Sequence, residues 1–157
     1  MTKTKNQPFY LILQNIRSLY NVGSFFRTAD GLGIDKIFLC GFTGIPPRKE
    51  ISKTALSAEE TVPWEHYEST SKLIKKLKKE GVKIISLEIA KGARPLNKFK
   101  PKFPLALVVG NEIAGVSKPV LKNSDSILYI PMQGQKTSFN VAIAGAITAY
   151  QLDQFRH

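Results

Sequence analysis

The chain is poor in the residues that most often carry chemistry. In 157 residues it has one cysteine, Cys40, and two histidines, His66 and the terminal His157. A single cysteine makes neither an internal disulfide nor a multi-cysteine metal site. Two distant histidines give a Ser-His-Asp triad or a histidine metal site little to work with, and no metal is expected. No apolar run approaches the roughly 20 residues that span a bilayer. The first eight residues, Met1 to Pro8, are polar, lack the apolar stretch of a signal peptide, and are expected to be flexible. These absences point away from membrane and secretion, so a cytoplasmic protein is expected. Acidic residues are also scarce, with 12 Asp and Glu against 23 Lys and Arg, a formal net charge of +11. That excess suits RNA, an anionic surface, or simple solubility.

What is present is the composition of one ordinary globular domain covering 1–157, with 43% apolar and 10% aromatic residues. The positive charge is spread along it: residues 1–80 carry +5 and residues 81–157 carry +6. Two concentrations stand out. Lys72, Lys75, Lys76, Lys78 and Lys79 alternate with Leu73, Ile74 and Leu77, which reads as an amphipathic helix with a solvated lysine face. Lys91, Arg94, Lys98, Lys100 and Lys102 lie in a Pro-containing connector, Lys91 to Pro104, where a basic loop suits phosphate contacts.

Apolar runs and turn residues predict strands at Phe9–Gln14, Lys36–Cys40, Val82–Leu87, Leu105–Val109 and Ile127–Ile130, with a short extended piece near Val62–Trp64. Helical spacing predicts Asn21–Leu32, a turn at Ile51–Leu56, Ser71–Glu80, a short helix from Ser117 to Leu121 and a long Ala-rich helix, Ser138–Phe155. Continuous-apolar strands alternating with helices define an α/β fold with a mostly parallel sheet flanked by helices. In such folds ligands sit at the carboxyl ends of the strands.

Standard motifs fail at those ends. Gly110 to Gly115 has the spacing of a phosphate-binding P-loop, but Val116 stands where lysine must reach the phosphates, and Glu112 would repel them. No G-x-G-x-x-G follows a strand, and no G-x-S-x-G elbow is present. Polar residues remain: Asn15, Asn21 and Arg27 around the first helix, Asn111 and Glu112 after one strand, and Gln133, Gln135, Ser138 and Asn140 after another. The plainest reading makes Asn21 and Ser138 helix caps. Arg27, between Phe26 and Ala29, reads as a partly buried arginine that needs an anionic partner. Physics alone thus gives a strand-end site for something polar or anionic.

These positions fall in three ordered segments. The first is Asn15-Ile-Arg-Ser-Leu-Tyr-Asn21-Val-Gly23-Ser-Phe-Phe-Arg27-Thr-Ala-Asp30-Gly-Leu-Gly33. The second is Leu107-Val-Val-Gly110-Asn-Glu112-Ile-Ala-Gly115-Val. The third is Ile130-Pro131-Met132 followed by Ser138-Phe-Asn140-Val-Ala-Ile-Ala144. Together they resemble the three motifs of the SpoU-type (TrmH-type) RNA ribose 2′-O-methyltransferases of the knotted SPOUT superfamily. The resemblance runs from about Phe9 to Tyr150. It departs at Phe139, where the family usually has leucine, and in lacking the added RNA-binding domain of many relatives.

The resemblance implies a deep C-terminal trefoil knot over roughly residues 105–150, S-adenosyl-L-methionine as cofactor, a homodimer, and tRNA or ribosomal RNA as substrate; without an added RNA-binding domain, compact tRNA is favoured. Carried over residue by residue, it implies cofactor contacts from Leu87, Gly110, Ile130, Met132, Ser138, Phe139 and Asn140. It implies a catalytic group of Arg27, Asn15, Glu112, Ser138 and Asn140. RNA phosphates would be held by Arg27 and by the connector residues Lys91, Arg94, Lys98, Lys100 and Lys102. Two other readings stay open: a non-catalytic RNA-binding or assembly protein with the same fold, and an RNA base methyltransferase.

Overall fold

The computed structural model describes residues 7–157. Residues 1–6, most of the segment expected to be flexible, lie outside the described residues. The order of elements is β1 (Phe9–Gln14), α1 (Leu19–Leu32), β2 (Lys36–Cys40), α2 (Lys49–Ala55), α3 (Ala58–Thr61), β3 (Trp64–Tyr67), α4 (Thr70–Lys79), β4 (Lys83–Leu87), β5 (Arg94–Pro95), a 3-10 turn (Leu96–Lys98), β6 (Leu105–Val109), α5 (Lys118–Lys122), β7 (Ser126–Tyr129) and α6 (Val141–Asp153). The strands form one seven-stranded sheet in the order β3-β2-β1-β6-β4-β7-β5. Every pairing is parallel, so all strand carboxyl ends open on one edge.

The central strands are continuous apolar runs because both faces are covered. Their side chains alternate between two cores. Leu11, Leu13, Leu105, Leu107 and Val109 pack with Val22, Phe25, Phe26, Ala149 and Leu152 of α1 and α6. Ile12, Phe38, Cys40, Ala106 and Val108 pack with Leu73, Ile74 and Leu77 of α4 and Val120 of α5. Cys40 is fully buried, as its place in an apolar strand implied. Close approach fixes two glycines. A Cβ on Gly145 would run into the Phe25 ring, and one on Gly23 into Thr54 and the Ile51 carbonyl. These contacts set α1 against α6 and α2.

Several boundaries differ from those expected. The first helix begins at Leu19 under a Ser18 cap, whose hydroxyl accepts from the Asn21 N–H; Asn21 is thus inside the helix. The last helix is shorter, Val141–Asp153, and its cap is Asn140, so Ser138 lies two residues ahead of it. The extended piece near 62–64 is strand Trp64–Tyr67, and the turn at 51–56 is helix Lys49–Ala55. The basic connector is not a plain loop. It contributes the edge strand β5, paired with β7, and is pinned by buried Leu96 and Phe99.

Helix α6 buries Ala142, Gly145, Ala149 and Leu152, yet its other side carries Ile143, Ile147 and Tyr150 at 53%, 38% and 59% exposure. A helix that is apolar all round ordinarily has neighbours on every side. At the chain end, the nearly buried Arg156 guanidinium bonds Asp153, Asp35 and the Gly33 carbonyl, and its Nε bonds the Gln7 carbonyl.

Candidate active site

The carboxyl ends of β4, β6 and β7 enclose a cleft of about 240 Å³. Of the seven residues expected to touch cofactor, Leu87, Gly110, Ile130, Met132, Ser138 and Phe139 line it. Asn140 does not; its side chain is turned to the helix it caps. Glu112 and Ser138, from the expected catalytic group, also line the cleft. Its walls mix apolar side chains (Leu87, Val109, Ile130, Met132, Phe139, Val141) with the carboxylates of Glu88 and Glu112 and the hydroxyls of Thr137 and Ser138. Such a lining suits a flat apolar group joined to a polar, cationic one.

Glu112 organises the neighbouring loop. Its Oε1 accepts from the Arg17 N–H at 2.9 Å, and its Oε2 accepts from the Ser18 N–H at 2.8 Å and the Asn21 side-chain amide at 3.1 Å. Partial burial pushes its pKa up, but the donated bonds from Arg17, Ser18 and Asn21 outweigh this and hold it below the ordinary value. The carboxylate therefore stays ionised at neutral pH. The Asn140 amide donates to Asn21 Oδ1 at 3.4 Å, while Asn140 Oδ1 accepts from the Ala142 and Ile143 N–H groups at 2.8 and 3.2 Å. A polar relay, Asn140–Asn21–Glu112, thus joins all three sequence segments.

Asn15 sits beneath. With φ of 55° it turns the chain out of β1, and its Oδ1 accepts from the Phe42 N–H at 3.0 Å. Its carbonyl accepts from the Asn111 amide at 2.8 Å. Gly41, at φ 63°, packs directly on the Asn15 side chain. Asn15 is therefore committed to loop geometry, outside the cleft lining.

Arg27 is not partly buried. It is exposed on α1, outside the cleft lining, with no hydrogen bond or ion pair among the described residues. Helical geometry is the reason: at about 100° per residue, Arg27 points well away from Phe26 and Ala29, and lies near Tyr20, Ser24 and Gly31 on the outer face. Lys91, Arg94, Lys98, Lys100 and Lys102 are all exposed, with Arg94 over the Phe99 ring at 5.1 Å.

Sequence reasoning missed Glu88. Its Oε2 accepts from the Val116 N–H at 2.8 Å and its Oε1 from the Ile89 N–H at 3.0 Å. This carboxylate ties the loop after β4 to the loop after β6. Its position directly after a strand was the available signal. Gln14 makes a second tie, with its amide donating to Ser117 Oγ at 2.9 Å and its oxygen accepting from the Ser117 N–H at 3.0 Å.

A parallel seven-stranded sheet with a cleft at the carboxyl ends of β4, β6 and β7 defines the class: an α/β protein of net positive charge with a candidate strand-end site. The SpoU rRNA Methylase family profile matches residues 8–150, and the chain belongs to that family. It is 34% identical over 142 residues to the 23S rRNA (guanosine(2553)-2′-O)-methyltransferase RlmP of Bacillus subtilis, covering 90% of this chain and 56% of RlmP. YacO of Bacillus subtilis is 27% identical over 151 residues, covering 96% of this chain and 60% of YacO. The chain thus spans somewhat over half the length of these curated relatives. Among solved structures, the AdoMet-bound rRNA methyltransferase of Sinorhizobium meliloti superposes with a TM-score of 0.89 at 26% identity, over 96% of this chain and 57% of that one.

Proposed function

We propose that the protein is an S-adenosyl-L-methionine-dependent methyltransferase acting on a ribose 2′-hydroxyl of RNA. The observation that carries the reading is the cleft: Leu87, Gly110 of the second segment, and Ile130, Met132, Ser138 and Phe139 of the third line one cavity, with ionised Glu112 on its wall. The AdoMet-bound relative and the 2′-O activity named for RlmP support it. A trefoil knot over about residues 105–150 belongs to the same reading, as does a single catalytic domain over 1–157 in the cytoplasm.

When bound, S-adenosylmethionine supplies a methyl group activated by its sulfonium. The chain's residues then have three tasks. Leu87, Gly110, Ile130, Met132, Ser138 and Phe139 would hold the cofactor, with the apolar side chains suited to its adenine, while Asn140 caps α6 behind them. Glu112 keeps negative charge on the wall, which favours a cation, and fixes the Arg17–Ser18 turn. Arg27 holds an RNA phosphate by its planar fork and stabilises charge developing on the 2′-oxygen. A guanidinium with a pKa above about 12 is a poor general base, so positioning is its role. Asn15 sets the loop that carries these groups.

Arg27 shares the outer face of α1 with Tyr20, itself 50% exposed, while the uncovered α6 residues Ile143, Ile147 and Tyr150 form a second apolar area. A homodimer built on these faces would give both a partner and bring Arg27 to the subunit boundary. The RNA is tRNA or ribosomal RNA, and Lys91, Arg94, Lys98, Lys100 and Lys102 would hold its backbone.

The test is Arg27→Lys and Arg27→Ala, assayed by methyl transfer and by calorimetry with S-adenosylmethionine. Methylation should fall steeply in both with cofactor affinity unchanged; wild-type rates in Arg27→Lys would refute a role for the guanidinium. Digesting the product to nucleosides separates ribose from base methylation. Absence of cofactor binding by the wild type would favour a non-catalytic RNA-binding protein. Mapping 2′-O-methyl sites lost in a deletion strain identifies the RNA.

A further inference from the structure

Beside the cofactor cleft lies a second cavity, of about 740 Å³, lined by Arg17, Ser18, Asn21, Phe42, Asn111, Glu112 and Ile113. Asn111, Glu112 and Ile113 line both, so the two spaces adjoin. Two of its side chains are apolar and uncovered: Phe42 at 63% exposure and Ile113 at 88%. Leaving two large apolar groups in water beside a polar floor has a cost unless something covers them.

Neither residue sits on a slack loop. The Phe42 N–H is held by Asn15 Oδ1 at 3.0 Å. The next residue, buried Thr43, accepts from the Ile16 N–H at 3.0 Å and donates to the Leu13 carbonyl at 3.1 Å. The Ile113 N–H is held by Asn111 Oδ1 at 2.9 Å. Buried or half-buried polar groups thus fix both backbones while leaving the side chains uncovered.

We propose that this cavity receives an unstacked RNA base, covered by Phe42 on one side and Ile113 on another, next to the ribose being methylated. The inference rests on the RNA reading above and extends it to a base subsite. The charge agrees: Arg17 lines the cavity on a chain of net charge +11, so a flat apolar group carried on a polyanion fits better than a neutral apolar partner. The floor also says what the subsite reads. Asn111 spends its oxygen on the Ile113 and Ala114 N–H groups and an amide hydrogen on the Asn15 carbonyl. Both Glu112 oxygens already accept bonds. With much of the floor engaged in holding the loops, the exposed Phe42 and Ile113 side chains supply the main grip, on the faces of the base, as aromatic stacking does.

The test compares wild type, Phe42→Ala and Phe42→Trp in fluorescence anisotropy with labelled oligo(A) and oligo(U) 12-mers and with an abasic oligomer of equal charge. Aromatic stacking predicts a Kd roughly 10-fold higher in Phe42→Ala for both base-bearing oligomers. Phe42→Trp should restore binding, and the abasic oligomer should bind all variants alike. An exposed side chain leaves the melting temperature unchanged, so unfolding does not confuse the result. Equal oligo(A) and oligo(U) affinity in wild type and Phe42→Ala overturns the proposal. So does an equal loss with the abasic oligomer, which would assign Phe42 a backbone or loop role. S-adenosylmethionine calorimetry on the same wild-type sample tests the methyltransferase reading separately, since failure there leaves the base-stacking result standing.

Discussion

Replacing Glu112 by glutamine probes the bond set that organises the site. The carboxylate accepts three bonds, from Arg17, Ser18 and Asn21. In glutamine one acceptor becomes a donor. The least costly orientation leaves oxygen at the Oε2 position, keeping Ser18 and Asn21, and sets the new amide against the Arg17 N–H. One charge-assisted bond is lost and two become neutral. Hydrogen bonds to charged groups contribute about 1.5–3 kcal/mol against about 1 for neutral ones, and solvent access favours the low end. The sum is about 2.5 kcal/mol, which for a chain of this size lowers Tm by about 5–10 °C.

Scanning calorimetry at neutral pH checks this. The folded-state pKa of Glu112 lies below its ordinary value. Its contribution is therefore complete above the unfolded carboxylate range and disappears as pH falls through the depressed folded value. The difference between wild type and Glu112→Gln should thus be full at pH 7 and shrink on acidification below about pH 4. A Tm shift under about 1 °C, or one independent of pH, would refute the assignment of Glu112 as the ionised anchor of the Arg17–Ser18 turn.

Asn140→Ala removes the α6 cap and the link to Asn21; a loss of about 1 kcal/mol is expected, read as a Tm drop, with Asn140→Ser recovering most of it. Cys40 is buried, and burial pushes its thiol up to about 11; a thiol reagent at pH 8 should label it only on unfolding, and rapid labelling of the native protein would contradict the packing. Neutralising Lys91, Lys98, Lys100 and Lys102 to glutamine should raise the KM for RNA and flatten its salt dependence while leaving cofactor affinity alone. Unchanged RNA affinity would reduce those lysines to a solubility role.

The strands were legible because a buried parallel strand leaves an uninterrupted apolar run, as Leu105–Val109 does. Helix starts were less so. Ser18 and Asn140 win the capping positions through side-chain bonds to Asn21, Ala142 and Ile143, and spacing alone does not separate them from Asn21 and Ser138. Strand β5 is two residues, Arg94 and Pro95, defined by its partner β7 and not by its own composition. Arg27 differs from expectation because residues adjacent in sequence sit about 100° apart on a helix: Phe26 and Ala29 point inward while Arg27 points out. Leu87, Gly110 and Ile130 line the cleft because they end or follow β4, β6 and β7, where a parallel sheet opens. Glu88, directly after β4, obeys the same rule.

The relay from Asn140 through Asn21 to Glu112 bridges separations of 119 and 91 residues. Contacts of such range close late, after the sheet has paid the loop-closure entropy between chain ends. No piece of the chain shorter than residues 21–140 holds all three residues. Competence to bind is therefore a property the molecule acquires last: in refolding, ligand binding should return after the helical signal, which makes the site a sensor of completed folding.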